Sequence, residues 1–362
     1  MALDIYRVAA DGTEAWADAK EGVGHVGPCS LTTALANASA GDIVKIKAGS
    51  YSLSDNLEAS ATWSDSQPAV FAGCDADWNY IDPTYTAHGL IDGSSLPVIT
   101  LGSTSYYVRG NNAVWRGLKV VGSRSTLFLP TATQVWMHSI IENVTNNAAF
   151  GSINGIMYNC DCLTTGQSDF TADIAVNSKL VNCFVRNPVK IANSLSTAVV
   201  DSVIVCINEA MYALDLSSLH LTYTPTIYKN TLVGGKGFGV SATGAHALLA
   251  LLNTHITGSS AYAIQTAHTG AGSPVLIEHL RHRTTSGAVN WVGDWGGIPR
   301  VEIDGGSDSA DYVDAANNNY RLKSDAPAID AGPHEVELAA WRGACAAGGG
   351  QIFLPNKRGN KQ

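Results

Sequence analysis

Short apolar runs recur along the chain, and each carries a small or polar residue near its start. The clearest are Gly117-Leu-Lys-Val-Val, Ser139-Ile-Ile, Asn159-Cys-Asp-Cys-Leu, Asn182-Cys-Phe-Val, Ser202-Val-Ile-Val-Cys, Asn230-Thr-Leu-Val, Asn253-Thr-His-Ile and Glu278-His-Leu. The steps between these anchors are 22, 20, 23, 20, 28, 23 and 25 residues. Further short β segments lie inside the intervals, such as Lys190-Ile-Ala-Asn and Ala263-Ile-Gln-Thr, with turn-forming clusters of Gly, Asn, Ser and Thr between them. A period of 20–28 residues that holds several strands and no helical pattern predicts a β-solenoid. One coil cannot bury its own apolar face. Stacked coils bury a continuous core and pair their backbones with the coils above and below. Leucine-rich repeats share the period, but their fixed Leu/Asn spacing is absent. A large sandwich is the other architecture this pattern allows. Small residues (Ala, Val, Ser, Cys, Gly) suit a narrow interior. Asn at a repeated bend can stack and bond along the axis.

The ends read differently. Ser30 followed by Leu31-Thr-Thr-Ala-Leu-Ala-Asn-Ala predicts a short N-capped amphipathic helix, then Gly41-Asp42 and a strand, Ile43-Val-Lys-Ile-Lys. Such a helix is expected to shield the open edge of the first coil. The predicted organisation is an N-terminal segment with the capping helix over 1–41, β-helix coils over 42–300, a closing coil over 301–337 and a C-terminal tail over 338–362. The tail ends in a basic stretch, Asn356-Lys-Arg-Gly-Asn-Lys-Gln362, expected to be loose unless a partner orders it.

Composition narrows this picture. Only 15% of the 362 residues are charged, against about 25% in an average domain. With 45% hydrophobic residues the chain is not disordered, and its shortage of Lys, Glu and Arg excludes a coiled coil. No stretch approaches the roughly 18 apolar residues of a membrane helix, so no membrane partner is expected. The net charge of −9 is uneven: −8 over residues 1–109, +1 over 110–299 and −2 over 300–362. No basic stripe exists to neutralise phosphates, so nucleic acid is not an expected partner. Docking by charge is expected in the acidic first third.

Of seven cysteines, Cys160, Cys162, Cys183 and Cys206 sit in apolar runs and read as core thiols; the others are Cys29, Cys74 and Cys345. Cys160-Asp-Cys162 alone does not supply the paired spacing zinc needs, and no cofactor or metal site is expected. The N-terminus, Met1-Ala-Leu-Asp-Ile-Tyr-Arg, lacks the basic start and apolar stretch of a signal peptide.

Two terminal motifs carry a family likeness. Ala40-Gly-Asp-Ile-Val-Lys-Ile-Lys-Ala-Gly-Ser-Tyr51 resembles the G-D-x-I-x-h-x-x-G-x-Y that follows the N-terminal helix in right-handed parallel β-helix proteins of the pectate-lyase-like superfamily. Asn319-Tyr-Arg-Leu-Lys-Ser-Asp-Ala-Pro-Ala-Ile-Asp-Ala-Gly332 resembles their closing Y-R-L-x-x-x-S-P-A-I-D-x-G, with Ala326 in place of Ser. The resemblance spans roughly residues 10–335. It implies an all-β fold: a single-stranded right-handed parallel β-helix with a short N-terminal capping helix. Roughly eleven coils at about 4.8 Å each would make a rod on the order of 50 Å long.

The resemblance also says where chemistry would lie. Lyases of this superfamily hold calcium with several carboxylates and use Arg or Lys as base; the hydrolases use Asp residues as acid and base. Both need acids at matching places on successive coils. The middle region offers Glu142, Asp161, Asp169, Asp173, Asp201, Glu209, Asp215, Glu278 and Asp294. Asp161 and Asp201 stand at different offsets from their anchors. Asp169 and Asp173 with Lys190 form the nearest approach to a cluster, and a solvated loop explains them equally. Arg186-Asn-Pro188-Val-Lys190 is similar to the Arg-x-Pro-x-x-Arg of pectate lyases, with Ile191 where the second Arg belongs. His279 and His282, beside Arg281 and Arg283, alternate faces on a strand and share no metal. Tyr106, Tyr107, Trp115, Trp136, Trp291 and Trp295 are candidates for stacking on sugar rings. Trp115 and Trp136 lie 21 residues apart, nearly one coil, and are expected to stack on each other. No residue is singled out as catalytic.

The expected function is therefore a non-enzymatic structural protein, resembling phage virion-associated β-helix proteins, in a capsid-decoration or tail-associated role. The expected partners are further copies in a homotrimer and the capsid, with a glycan as a further candidate. The alternatives are an extracellular polysaccharide lyase or glycoside hydrolase, and a glycan-binding module without turnover.

Overall fold

The computed structural model describes residues 3–22, 24–59, 67–86, 90–109, 113–123, 126–128, 134–143, 149–153, 155–164, 172–174, 179–186, 188–191, 198–206, 212–215, 226–228, 230–234, 238–240, 249–252, 254–259, 264–266, 275–284, 300–304, 312–314 and 319–323. Its architecture is an all-β parallel solenoid. One 21-stranded sheet folds around a corner, and a separate nine-stranded sheet faces it. From Ile43 to Thr266 each coil contributes two strands to the first sheet and one to the second. The coil that begins with Gln134–Met137 continues with Ile140–Asn143 and then Ala149–Ile153.

The strands pair with their equivalents one coil away, in parallel. Ile43–Lys47 pairs with Val70–Cys74, that with Val114–Arg116, and that with Gln134–Met137. Strict register sends alternate side chains to opposite faces. The inward row of the first strand column is Val44, Phe71, Trp115, Trp136, Met157, Leu180, Val199 and Ile227, all buried. In the second column it is Ile99, Val120, Ile141, Cys162, Val185, Ile204 and Leu232. Trp115 stacks between Phe71 and Trp136, with ring centroids 4.4 and 5.4 Å away.

The corner between the two columns explains the repeated polar residues. Gly117, His138, Asn159, Asn182 and Asp201 occupy one outward row there, with φ of 63, 52, 52, 52 and 49°. This left-handed conformation favours Gly, Asn and Asp. The residue after each turns inward: Leu118, Ser139, Cys160, Cys183 and Ser202, followed by Asn230 and Thr254, all buried. The sequence anchors mixed these two rows. With them separated, the inward row advances by 21, 21, 23, 19, 28 and 24 residues. Asn253 lies outside the described residues.

Inward polar atoms satisfy the bent backbone. Ser202 Oγ accepts from Cys183 N at 3.1 Å and donates to Val200 O at 2.9 Å. Asn230 Oδ1 accepts from Ser202 N at 3.0 Å while its Nδ2 donates to Val199 O at 2.7 Å. Cys183 Sγ donates to Val181 O at 3.3 Å, filling the role of a serine.

At the N-terminus, Ser30 Oγ accepts from Thr33 N at 3.1 Å and caps the helix Leu31–Asn37, which buries Leu31, Ala34 and Leu35. The sheet starts earlier than the sequence pattern suggests, because Ile5–Val8 pairs in parallel with the strand after the helix. The open edge of that first strand is closed by backbone rather than by the helix. Ile5 O accepts from Glu21 N at 2.7 Å and Arg7 O from Cys29 N at 3.0 Å. At the far end Arg300–Asp304 still stacks in parallel. Asn319–Leu322, the Tyr-Arg-Leu segment, instead pairs antiparallel with Tyr312–Asp314. The 338–362 tail lies outside the described residues. Among the described residues, no helix is long and apolar enough to cross a membrane.

Candidate functional site

At most corners two residues join the strands. After Val70–Cys74 the chain instead takes 75–97 to reach Val98–Leu101. This excursion lies on the outer surface as a strap with two described limbs, 75–86 and 90–97.

The first limb is folded back by an Asx turn. Asp75 Oδ1 accepts from Asp77 N at 2.8 Å and Asn79 N at 2.9 Å, and those bonds hold its carboxyl below the usual range. Trp78 sits at a φ of 67°, and Tyr80 bridges back to Cys74. The fold-back sets both rings over cations rising from the coils below. Arg7 and Lys47 lie 5.0 and 5.4 Å from the Trp78 ring centre. Lys45 and Arg116 lie 5.3 and 5.7 Å from that of Tyr80. Each such contact contributes about 0.5–1 kcal/mol at an exposed site. Glu21 joins Arg7 and Lys45 at 3.0 and 3.1 Å, which offsets their mutual repulsion.

The second limb reaches the other way along the axis. Ile91 and Leu96, joined by Ile81 of the first limb, pack on Ile140, with Leu163 at the margin. Ile91 N donates to Asp161 Oδ2 at 2.5 Å. Asp161 is buried, and desolvation pushes its carboxyl up to about 6 despite that hydrogen bond. Beside it, Asn159 Nδ2 donates to the Tyr85 hydroxyl and to His138 Nδ1, the latter at 2.7 Å. His138 therefore carries its ring proton on Nε2, an assignment made from this bond. Asn182 Nδ2 donates to Asn159 Oδ1 at 3.0 Å, extending the ladder by one coil. The strap thus ties coils from Ile5–Val8 to Asp161–Thr164.

The candidates read from sequence scatter around this feature. Trp115 and Trp136 stack as expected, but both are fully buried inside the coils, so neither offers a face to a sugar. Tyr106 packs on the core, and the Tyr107 ring lies 4.9 Å from the Arg109 guanidinium. Trp291, Trp295, Asp169 and Asp294 lie outside the described residues. Asp173 and Lys190 are register partners on adjacent coils, and Asp215 continues the same row. Asp161 aligns with Phe184 and Val203, whereas Asp201 stands at the corner, so the two acids occupy different rows. Arg186 is exposed beside the end of Phe184–Val185. His279 and His282 share the strand Val275–Thr284, whose register shifts between Ile277 and Leu280. Cys160, Cys162, Cys183 and Cys206 are buried free thiols, as are Cys29 and Cys74, and burial pushes the last two up to about 11. Among the described residues, no group of three or more His, Cys, Asp or Glu is placed to hold a metal.

The sequence reading missed the strap, and with it Trp78, Tyr80, Tyr85 and His138. Its signal was the long interval after Cys74, opened by Asp75-Ala-Asp-Trp-Asn79.

No protein-family model matches the chain, and no curated protein matches it. Among solved structures, the pectate lyase Pel9A matches over 91% of this chain and 91% of its own, at 12% identity and a TM-score of 0.47. An alginate lyase from Paenibacillus sp. str. FPU-7 matches over 73% of this chain and 95% of its own, at 15% identity and a TM-score of 0.36. Likeness this slight leaves function to be argued from the chain's own residues.

Proposed function

We propose that the protein is a non-enzymatic structural solenoid that works through its outer surface. One observation carries this reading: three acids on the described coils, Glu58, Glu142 and Asp161, are engaged in holding the rod together. Glu142 pairs with Lys119 at 2.9 Å, Glu58 with Arg109 at 2.9 Å, and Asp161 is spent beneath the strap. A hydrolase or lyase needs such groups free and facing substrate.

The narrower reading is a homotrimeric component of a bacteriophage particle, in a capsid-decoration or tail-associated role. It rests on the charge-poor coils, where residues 110–299 hold 9 acids and 10 bases. One structural feature supports the contact between copies. Ile43, Val70, Val114, Val135 and Ile156 form an outward row on consecutive coils, each half-buried. A continuous stripe of β-branched aliphatics on an outer face suits a protein contact.

Two measurements test the proposal. Incubation with a panel of uronate polymers, with and without calcium, is expected to release no unsaturated, ultraviolet-absorbing oligosaccharides; their release overturns the structural reading in favour of a lyase. Solution mass is expected to be three times the chain mass of 37.9 kDa. A monomer, together with absence from purified particles, overturns the virion reading.

A further inference from the structure

We propose that Asp161 and the 90–97 limb form a proton-set latch, in which the neutral carboxyl seats the limb and its ionisation loosens it. The geometry is specific. Asp161 is 5% exposed and lies under the limb, and its Oδ2 takes the Ile91 amide proton across 70 residues of sequence. The limb closes over apolar side chains: Ile81, Ile91, Leu96 and Ile140 cluster with Leu163. Neutral Asp161 keeps a carbonyl acceptor for Ile91 N and costs little to bury. The ionised form keeps that bond but needs water that the cluster excludes.

The charged and titratable groups around it are otherwise engaged. Lys119 is held by Glu142, and Arg116 by Asp82. Asp92, on the limb itself, caps its own turn by accepting from Ser94 N at 3.0 Å. Arg186 stands exposed beyond Phe184, the register partner of Asp161. Among the described residues no cation makes an ion pair with Asp161. His138 and Tyr85 meet at Asn159. Protonating His138 would turn Nδ1 into a donor and break its bond to Asn159, so its effect on the strap is opposite in sign.

The direction follows from linkage. Burial beneath the closed limb raises the carboxyl from its ordinary 3.8 to about 6, against the lowering effect of the Ile91 hydrogen bond. The closed state therefore binds the proton more tightly than the open one. Closure is strongest below pH 3.8 and weakens as pH rises through 6. A shift of about two pH units changes the opening equilibrium about a hundredfold.

The test is amide hydrogen exchange of the 90–97 segment in the full chain from pH 4.5 to 8, corrected for intrinsic rates. The expected result is opening that increases about thirtyfold across that range with a midpoint near pH 6, and no such rise in Asp161→Asn, which keeps an acceptor and cannot ionise. Binding of a hydrophobic dye by the wild type should rise over the same range. A flat wild-type profile overturns the proposal, and needs no variant to fold. An unchanged slope in Asp161→Asn, or a slope lost only in His138→Gln, overturns it equally.

Discussion

Asn159 is the side chain on which the corner ladder and the strap converge, and replacing it separates two energies. Asn159→Ala removes donations to Tyr85 and His138 and the acceptance from Asn182. Three net hydrogen bonds at about 1 kcal/mol each would be about 3. The Tyr85 hydroxyl is on a 43% exposed residue and regains water, which lowers the total to about 2–3 kcal/mol. Alanine also adds strain, because φ at this position is 52°. That strain costs about 1–2 kcal/mol. Asn159→Gly loses the same bonds without the strain, though glycine's extra chain entropy returns about 0.5–1 kcal/mol of the difference. The glycine variant should therefore be less destabilised than the alanine variant by roughly 0.5–1 kcal/mol. Denaturant midpoints at matched slopes measure both, and amide exchange over 155–163 and 179–186 locates the loss. Losses under about 0.5 kcal/mol in both variants, or alanine more stable than glycine, would refute the ladder argument.

The stacked interior gives a larger effect. Trp136→Ala leaves a cavity beside Trp115 and strips Gln134 Oε1 of its indole donor; a loss of about 3–5 kcal/mol is expected by denaturant melt, and under about 1 would mean the ring is not in the core. Cysteine positions should divide by row. Cys183→Ser is expected to cost less than about 1 kcal/mol, because the hydroxyl inherits the Val181 carbonyl as Ser202 uses that of Val200. Cys162→Ser buries a hydroxyl whose sulfur neighbour is Met157 Sδ at 3.9 Å, and should cost about 1–3 kcal/mol. Equal losses in the two variants would show that the corner row has no special role.

Several features were readable because they repeat. A bend that needs a left-handed residue outside and a small polar one inside leaves Gly, Asn, Ser or Cys at each turn of the chain. His138 was invisible as a member of that row, because its neighbour Ser139 gave the stronger signal. Trp115 and Trp136 were paired correctly by their 21-residue spacing. Spacing by itself did not say which face of the strand they take. Only the register with Phe71 and Met157 puts them inside. Asp161 looked like any acid in a strand, since the group that buries it comes from a limb 70 residues earlier.

The sequence by itself determined the coil: short apolar runs, punctuated by turn residues at near-constant spacing, favour in-register stacking over a sandwich. That outcome is local, because each coil meets only its neighbours. The tertiary structure decided what lies on the outside. The strap, its cations beneath Trp78 and Tyr80, and the carboxyl it seals depend on contacts between distant segments, which no local pattern records. A residue's chemistry there is set by what covers it.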